Sequence, residues 1–407
     1  MSVTSIAPSG LADRSAPTNW LPLGVAVVLL LAGGFYLFDT VSLEQALLWV
    51  VGALLGVSLY QASFGFTYAW RVFVADRQAA GIRAQMLMLA VGVVLFFPVL
   101  ASGTLAGNPV RGLTAPVGLS PVFGAFIFGI GMQLGGGCAS GTLYTVGGGS
   151  TRMLVTLLFF ILGAVLATAH FDWWMSLPNI GPVALLDVLG LWPALLLYLA
   201  VFGLIAWGAT LLERRRHGGI VSSVMRTEGP VSFLRGPWPL LWGGLALVLL
   251  NFATLWLSGK PWGITSALAL WGAKGLAALG VDVAFWGYWS VRLDSFEAPI
   301  SEDVTSVMNI GIVLGALAAA SLAGKFAPVW RIPLRSLVAA VLGGLLLGYG
   351  SRLAFGCNIG AYFSGMLSGS LHAWLWLPAA FAGSAIGVRL RPAFGLAVEK
   401  LPRPTGC

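Results

Sequence analysis

The sequence predicts an all-helical protein that crosses a membrane many times. Of its 407 residues, 58% are hydrophobic and only 9% are charged, whereas soluble domains carry roughly 25% charged residues. Three long stretches, 112–151, 188–212 and 353–388, contain no Asp, Glu, Lys or Arg. Each exceeds the ~20 apolar residues that span the hydrocarbon core of a bilayer. We therefore expect a polytopic integral membrane protein with no soluble catalytic domain.

The content of 55 glycines and 21 prolines indicates that several membrane segments are interrupted. In a helix interior Gly costs about 1 kcal/mol and Pro about 3 kcal/mol relative to Ala. Within a bilayer, an interrupted segment is tolerated only where protein covers it or where it lines a water-filled cavity. The glycine-rich segments are thus expected to mark a buried or wet centre.

Ten segments have the length and polarity of spanning helices. The first follows a polar tail and lacks a small-residue cleavage site, so we interpret it as an uncleaved helix. In chain order the ten are 20–38, 42–60, 82–101, 120–135, 152–169, 187–212, 237–257, 304–323, 334–350 and 371–390. Four shorter apolar segments carry Gly, Ser, Thr or Asn and fit re-entrant half-helices; they are 61–74, 136–150, 261–280 and 355–370.

A basic loop, which opens with Glu213-Arg-Arg-Arg-His217, divides the membrane region into two parts of similar weight. Positive loops face the cytoplasm, so the net charge of +8 indicates orientation and not nucleic-acid binding. We expect two pseudo-symmetric repeats with a site at their interface. The predicted units are a polar tail (1–19), a first repeat (20–212), a cytoplasmic linker (213–236), a second repeat (237–391) and a C-terminal tail (392–407).

One motif occurs in both halves. The segment 131–141 aligns without a gap on 350–360, and Gly, Leu, Gly, Cys and Gly coincide at equivalent positions. In the first copy these are Gly131, Leu134, Gly137, Cys138 and Gly141, and in the second Gly350, Leu353, Gly356, Cys357 and Gly360. Three cysteines exclude a disulfide framework, and we expect no role for the terminal Cys407. The duplication of the other two predicts a two-fold site.

Each Gly-Cys motif suits a turn that exposes a thiol and then begins a half-helix. The first turn of a helix offers free N–H donors and partial positive charge to an anion, and Asn358 adds an amide. A thiol is a weak, polarisable donor that suits sulfur. The motifs therefore predict weak, successive sites for an anion with oxygen and sulfur atoms, as conduction requires. The predicted path residues are Cys138, Cys357, Gly137, Ser140, Gly141, Gly356, Asn358 and Gly360, with Gly65 and Thr67 opposite them.

The sequence contains no Ser/His/Asp set, no paired acids and no Cys/His metal spacing, so we expect neither an enzyme nor a cofactor or metal site. Two cysteines are nevertheless compatible with Cu(I) binding or with a persulfide. Lys274 and Arg352 lie in apolar surroundings, where a cation either steers an anion or reaches the membrane interface. These alternatives stay open at the level of sequence.

With Phe64-Gly-Phe-Thr67 and Asn309-Ile-Gly311 beside the two Gly-Cys motifs, the chain resembles the YeeE/YedE family from about residue 50 onward. The resemblance implies a bacterial inner-membrane protein that takes up thiosulfate through pseudo-symmetric halves. It also implies that Cys138 and Cys357 relay the substrate by S–H···S hydrogen bonds. Family members that carry thiosulfate have a further cysteine in the first Gly/aromatic segment, where this chain reads Ser63-Phe-Gly-Phe-Thr67. Related sulfur anions, or a different sulfur species, are therefore alternative substrates to thiosulfate.

The function that we predict is a multi-pass inner-membrane permease that moves a small sulfur-containing anion, thiosulfate first, toward the cytoplasm. Its expected partners are that anion and the lipid bilayer, with a cytoplasmic sulfur-carrier protein as a further candidate and no nucleic acid. The alternatives are a membrane protein that transfers sulfur through a cysteine persulfide, and a channel for a soft metal.

Overall fold

The computed structural model describes residues 17–221 and 232–401. Most of the predicted polar tail, the middle of the predicted linker and Cys407 lie outside the described residues. The all-α class is confirmed, because strands are few and short and ten helical stretches of the described chain are long and apolar enough to cross a membrane.

The chain up to the linker forms ten helices and four short strands. They are α1 Trp20–Thr40, α2 Leu43–Ala62, α3 Phe66–Asp76, α4 Ala80–Ser102, β1 Thr104–Leu105, β2 Asn108–Pro109, β3 Pro116–Gly118, α5 Leu119–Gly135, α6 Ala139–Gly147, α7 Thr151–Ala169, α8 Phe171–Met175, β4 Asn179–Pro182, α9 Leu185–Leu189 and α10 Leu191–His217. Strands β1 and β2 pair antiparallel, as do β3 and β4.

The second part continues with helices only. They are α11 Leu240–Ser258, α12 Thr265–Ala278, a 3₁₀ turn Val283–Phe285, α13 Gly287–Ser290, α14 Leu293–Glu297, a 3₁₀ turn Ile300–Glu302, α15 Val304–Leu322, α16 Leu334–Leu353, a π-helical segment Asn358–Ser364, α17 Gly365–Leu367, α18 Leu371–Leu390 and a 3₁₀ turn Arg391–Phe394. All ten predicted spans correspond to long helices, and short helices occur in all four predicted half-helix segments.

The clearest boundary difference is at α10, which extends through Glu213 to His217, into the predicted linker. The Glu213 carboxylate is fully buried; it accepts a hydrogen bond from the Ala79 backbone N–H and pairs with Arg83. The basic last turn also suits the negative end of the helix dipole. The sequence analysis assigns the charged residues 213–217 to a loop, but contact with the start of α4 stabilises them as the last turn of α10.

Glycine allows the central helices to approach closely, as is usual in membrane bundles. A Cβ atom on Gly311 of α15 would lie 2.8 Å from the Trp49 carbonyl of α2, and one on Gly131 of α5 would lie 2.7 Å from the Leu347 nitrogen of α16. Helices α1 and α10 lie outside this packed group with mostly exposed apolar surfaces. The glycines that the sequence associates with interruption are therefore partly packing residues.

Candidate functional site

The first cysteine stands at the junction between a spanning helix and a short one. Arg152 of α7 donates to the last carbonyls of α5, those of Leu134 at 2.7 Å and Gly135 at 2.6 Å. After this fixed helix end the chain turns, and Cys138 is the N-cap residue of α6. Its side chain is 1% exposed, with Sγ 3.3 Å from the Ser140 hydroxyl.

The second cysteine occupies the same local position after α16. Phe355 and Gly356 have φ of +54° and +152°, and a Cβ atom on Gly356 would lie 2.6 Å from the Ala361 nitrogen. At position 356, only glycine combines this φ angle with so close an approach of the backbone without strain. Cys357 is then the N-cap residue of the π-helical segment, fully buried, and its Sγ accepts a hydrogen bond from the Ile359 N–H at 3.4 Å.

The tertiary fold brings these two segments together. Helix α6 contacts the π-helical segment directly, and both cysteines belong to one continuous core cluster. The halves of the chain therefore contribute one thiol each to a common buried region. Sequence spacing predicts the local turns, but only the packing of α6 against residues 358–364 makes the two motifs neighbours.

The predicted glycines divide into two groups by the space around them. Gly137 is tightly packed, because a Cβ atom there would lie 3.0 Å from both the Gly141 carbonyl carbon and the Met153 methyl group. At Gly360, by contrast, a Cβ atom would meet only the Gly263 Cα, at 3.9 Å, and at Gly263 it would meet nothing within 4 Å. Gly263 and Gly360 thus face open space, and each belongs to one of the predicted half-helix segments, 261–280 and 355–370.

Gly65, in the first Gly/aromatic segment, has room for a Cβ atom at ordinary van der Waals distance from its neighbours. It is the N-cap residue of α3 and partly exposed, and a Cβ atom there would lie 3.8 Å from the Tyr144 hydroxyl of α6. Thr67, in the first turn of α3, is 4% exposed. The structure therefore places the predicted residue Gly65 next to the helix that Cys138 begins, whereas the Thr67 carbonyl accepts a hydrogen bond from Gln133 of α5 at 3.1 Å.

Several buried polar groups of these short segments lack a hydrogen-bond partner among the described residues. They are the Thr67 hydroxyl, the Trp262 indole N–H, the Tyr362 hydroxyl and both side-chain atoms of Asn358. An unsatisfied buried donor or acceptor costs about 1–3 kcal/mol, so such groups are rare in native structures unless water or a ligand meets them. These five atoms are therefore available to water or to a ligand.

Aromatic side chains form one wall of the region. The Tyr362 ring stacks on Trp376 with centroids 6.0 Å apart and meets Phe66 edge-on at 5.9 Å. Trp70 contacts both Tyr362 and Trp376 at 6.2 Å. These rings join α3, the π-helical segment and α18.

A polar network that the sequence analysis missed joins the two half-helix segments of the second part of the chain, 261–280 and 355–370. The Asn251 side chain of α11 accepts from the Trp262 backbone N–H at 2.7 Å and donates to the Ser364 hydroxyl at 3.1 Å. Ser364 in turn donates to the Trp262 carbonyl at 2.7 Å. The sequence signal for this network is Asn251, the one amide side chain in the mostly apolar helix α11.

Comparison with known proteins gives a consistent result. The sulphur transport family model matches residues 61–386. A thiosulfate transporter, TsuA of Spirochaeta thermophila, is 30% identical over 352 residues, which cover 80% of this chain and 92% of the relative. TsuA of Escherichia coli is 24% identical over 80% of this chain and 87% of its own length. The probable transporter YedE of Salmonella typhimurium is 36% identical over 35% of this chain and 36% of its own length.

Proposed function

Because this chain belongs to the sulphur transport family, we propose that it is a permease that carries thiosulfate across the bacterial inner membrane toward the cytoplasm. The observation that carries this proposal is the meeting of two cysteine-headed segments in one buried region. The two relatives that match this chain over most of their length are both named as thiosulfate transporters.

The chemistry of the region suits both ends of thiosulfate. Its terminal sulfur is a soft acceptor for the thiols of Cys138 and Cys357, and its oxygens are acceptors for the unpaired N–H and O–H groups of Asn358, Trp262 and Thr67. None of these groups carries a full charge, so each contact is weak enough for the anion to leave. Ser140, Gly141 and Gly360 complete the path that we propose, together with Gly65.

We propose that the two halves are inverted repeats, because their helices exchange partners regularly and each half holds five of the ten candidate spans of the described chain, an odd number that reverses the orientation of the second half. Helix α1 packs on α15 while α10 packs on α4, and α5 packs on α18 while α16 packs on α7. Each of these contacts has its counterpart if α1 to α7 correspond, in order, to α10, α11, α12, α15, α16, the π-helical segment and α18. This correspondence assigns α10 to the second repeat, whereas the sequence analysis places residues 20–212 in the first. Such an arrangement places a site at the interface between repeats.

The orientation of the proposed path in the membrane rests on the distribution of charge. The ends of α3 and α10, the start of α4 and the C-terminal segment meet on one face through Arg83–Glu213, Arg71–Glu399 and Arg216–Asp76 pairs. By the positive-inside rule this basic face lies in the cytoplasm. The second Gly-Cys motif then opens toward the outside, and the anion meets Cys357 before Cys138.

Uptake of labelled thiosulfate tests the proposal. Cells lacking other thiosulfate carriers would express the wild type, Cys138→Ser, Cys357→Ser or Ser232→Ala, a matched control outside the short segments. We expect uptake by the wild type and the control, and a loss in both cysteine variants at equal amounts of membrane protein. Equal uptake by all four proteins would remove the thiols from the mechanism, and no uptake by the wild type would refute the substrate.

Sulfur transfer is an outcome that the same proteins can reveal. In that reaction a cysteine thiolate attacks the outer sulfur of thiosulfate, the S–S bond of the anion breaks, sulfite leaves, and the cysteine keeps a persulfide for a cytoplasmic carrier protein. Mass spectrometry of purified protein after thiosulfate treatment would then show the added mass of one sulfur atom. Transport as we propose it leaves both cysteines unmodified.

Soft-metal conduction makes a different prediction. Copper bound by the two thiols would be lost from a Cys138→Ser, Cys357→Ser double variant, whereas our proposal expects the same metal content in this variant and the wild type. Elemental analysis of both purified proteins decides between the two.

A further inference from the structure

One buried cation differs from all others in the described part of the chain. Arg352, in the last turn of α16, is 9% exposed and takes part in none of the ion pairs. Its Nε and Nη1 atoms have no hydrogen-bond partner among the described residues. In contrast, the buried guanidinium of Arg391 donates to the Gln133 and Ala397 carbonyls. Arg352 thus keeps donors free in a place where water is scarce.

Neither water nor the helix dipole satisfies the free N–H donors of the Arg352 guanidinium. An arginine that reaches for the membrane interface exposes its head to water, but this residue is almost fully buried. The negative end of the α16 dipole favours a cation there, yet it does not satisfy the N–H groups. The carboxylate of Asp172 lies against Gly287 and makes no ion pair with Arg352. A cation–π contact with the Tyr288 ring offsets part of the charge but leaves the Nε and Nη1 donors without an acceptor among the described residues. Such a buried cation in a membrane protein is costly and points to a functional partner.

Arg352 lies between an exposed arginine and the second cysteine motif in its contacts and in the chain. Its guanidinium lies 5.0 Å from the centre of the Tyr288 ring, and the exposed Arg292 lies 4.2 Å from the centre of the same ring. Arg352 and Cys357 are five positions apart in the chain, so their Cα atoms are at most about 18 Å apart. Hydrogen bonds from Phe355 N–H to the Arg352 carbonyl and from Gly356 N–H to the Ser351 carbonyl fold the chain back and shorten that distance.

We propose that Arg352 is an oxyanion-docking residue at the mouth of the path that leads to Cys357, with Arg292 as the exposed first contact. This inference rests on the proposed function and adds the group that binds the substrate's oxygens. One of its free donors, Nε or Nη1, binds one oxygen of the sulfonate end of thiosulfate, and Nη2, which shares an edge of the guanidinium with each of them, binds a second oxygen. The outer sulfur of the anion then remains free to meet the Cys357 thiol.

The test uses the full-length protein in nanodiscs, with thermal unfolding and transport measured on the same variants. We expect thiosulfate to raise the Tm of the wild type and of Arg335→Gln, an exposed arginine at the opposite end of α16. In Arg352→Gln we expect a ligand-free Tm equal to or above the wild type, because an unpaired buried charge is removed, but no thiosulfate-induced rise. The KM for thiosulfate should increase about tenfold or more, as expected when hydrogen bonds to a charged group are lost.

Each other outcome has a defined meaning. A wild-type KM and a wild-type thiosulfate shift in Arg352→Gln overturn the inference while the proposed function stands. If the wild type carries no thiosulfate but sulfate still raises its Tm in an Arg352-dependent way, the docking site stands and the proposed substrate falls. Arg352→Lys, which keeps the charge but not the fork, replaces Gln if that variant does not fold, and a wild-type KM there overturns the inference as well.

A lipid phosphate offers the same oxyanion chemistry, so the bilayer composition forms a second arm. We expect the thiosulfate-induced shift to be equal in nanodiscs of zwitterionic lipid and in nanodiscs that contain anionic lipid. An Arg352-dependent Tm that follows the anionic lipid, with an unchanged KM for thiosulfate in Arg352→Gln, would assign the residue to a headgroup and overturn the inference.

Discussion

The open space at Gly263 gives the sharpest test of where the path lies. A Cβ atom at this position meets nothing within 4 Å, although its neighbours Trp262 and Ile264 are 0% and 1% exposed. The backbone is not in the left-handed region, so Gly263→Ala should fold normally. It should even stabilise the protein by about 0.4–1 kcal/mol, because alanine restricts the unfolded chain. Larger side chains at Gly263 then grow into the space that we assign to the substrate.

The matched change is Gly356→Ala, only four residues from Gly360 but in the opposite environment. There the backbone has φ of +152° and a Cβ atom would lie 2.6 Å from the Ala361 nitrogen. A strained conformation alone costs about 1–3 kcal/mol, and the clash adds to it. We therefore expect a clear drop in Tm for Gly356→Ala and none for Gly263→Ala.

The assay combines thermal unfolding of purified protein with uptake of labelled thiosulfate at matched expression. Gly263→Leu should keep a wild-type Tm and reduce uptake to background, because its side chain enters the space that also borders Gly360. Gly311→Ala, whose Cβ atom would lie 2.8 Å from the Trp49 carbonyl, serves as a control for a packing defect and should lower Tm. Wild-type uptake in Gly263→Leu with unchanged Tm would show that the substrate does not pass this position.

Two further predictions concern residues that hold the short segments. Replacing Asn251 by Leu removes the acceptor of the Trp262 N–H and the donor to Ser364, so we expect a loss of about 1–3 kcal/mol in stability and faster hydrogen exchange at Trp262; unchanged exchange would contradict the network. Burial alone would raise the pKa of Glu399, but the hydrogen bonds and charge of Arg71 outweigh it and hold that pKa below 4.5. Since the pKa is lowered by folding, the stabilising contribution of Glu399 is complete above pH 4.5 and disappears as the pH falls through the lowered value. The Tm difference between wild type and Glu399→Gln should therefore be constant in neutral solution and vanish in acid, and a difference that grows in acid would contradict the pair.

The family resemblance read from the two Gly-Cys motifs is confirmed, because the sulphur transport model covers residues 61–386 and the relatives are transporters. The path residues remain predictions that the proposed experiments address. The sequence pattern pointed to Gly360, Asn358 and the segment that contains Gly263, but it did not point to Tyr362 or the Asn251 network in the site. Their contribution depends on which segments face each other, and a single sequence does not record contacts between residues far apart in the chain.

Sequence by itself determined the membrane class, the ten spans and the four interrupted segments, because spanning helices need long uncharged stretches and interruptions need glycine and hydroxyl residues. It also determined the local turns at Cys138 and Cys357, since each depends on neighbouring residues. Only the tertiary structure decided that α6 meets the π-helical segment, that Gly137 is packed while Gly360 faces open space, and that Arg352 is buried with no ion-pair partner among the described residues. The physical reason is that free volume and hydrogen-bond satisfaction belong to the packing of distant segments, whereas hydropathy and turn chemistry belong to the residues themselves.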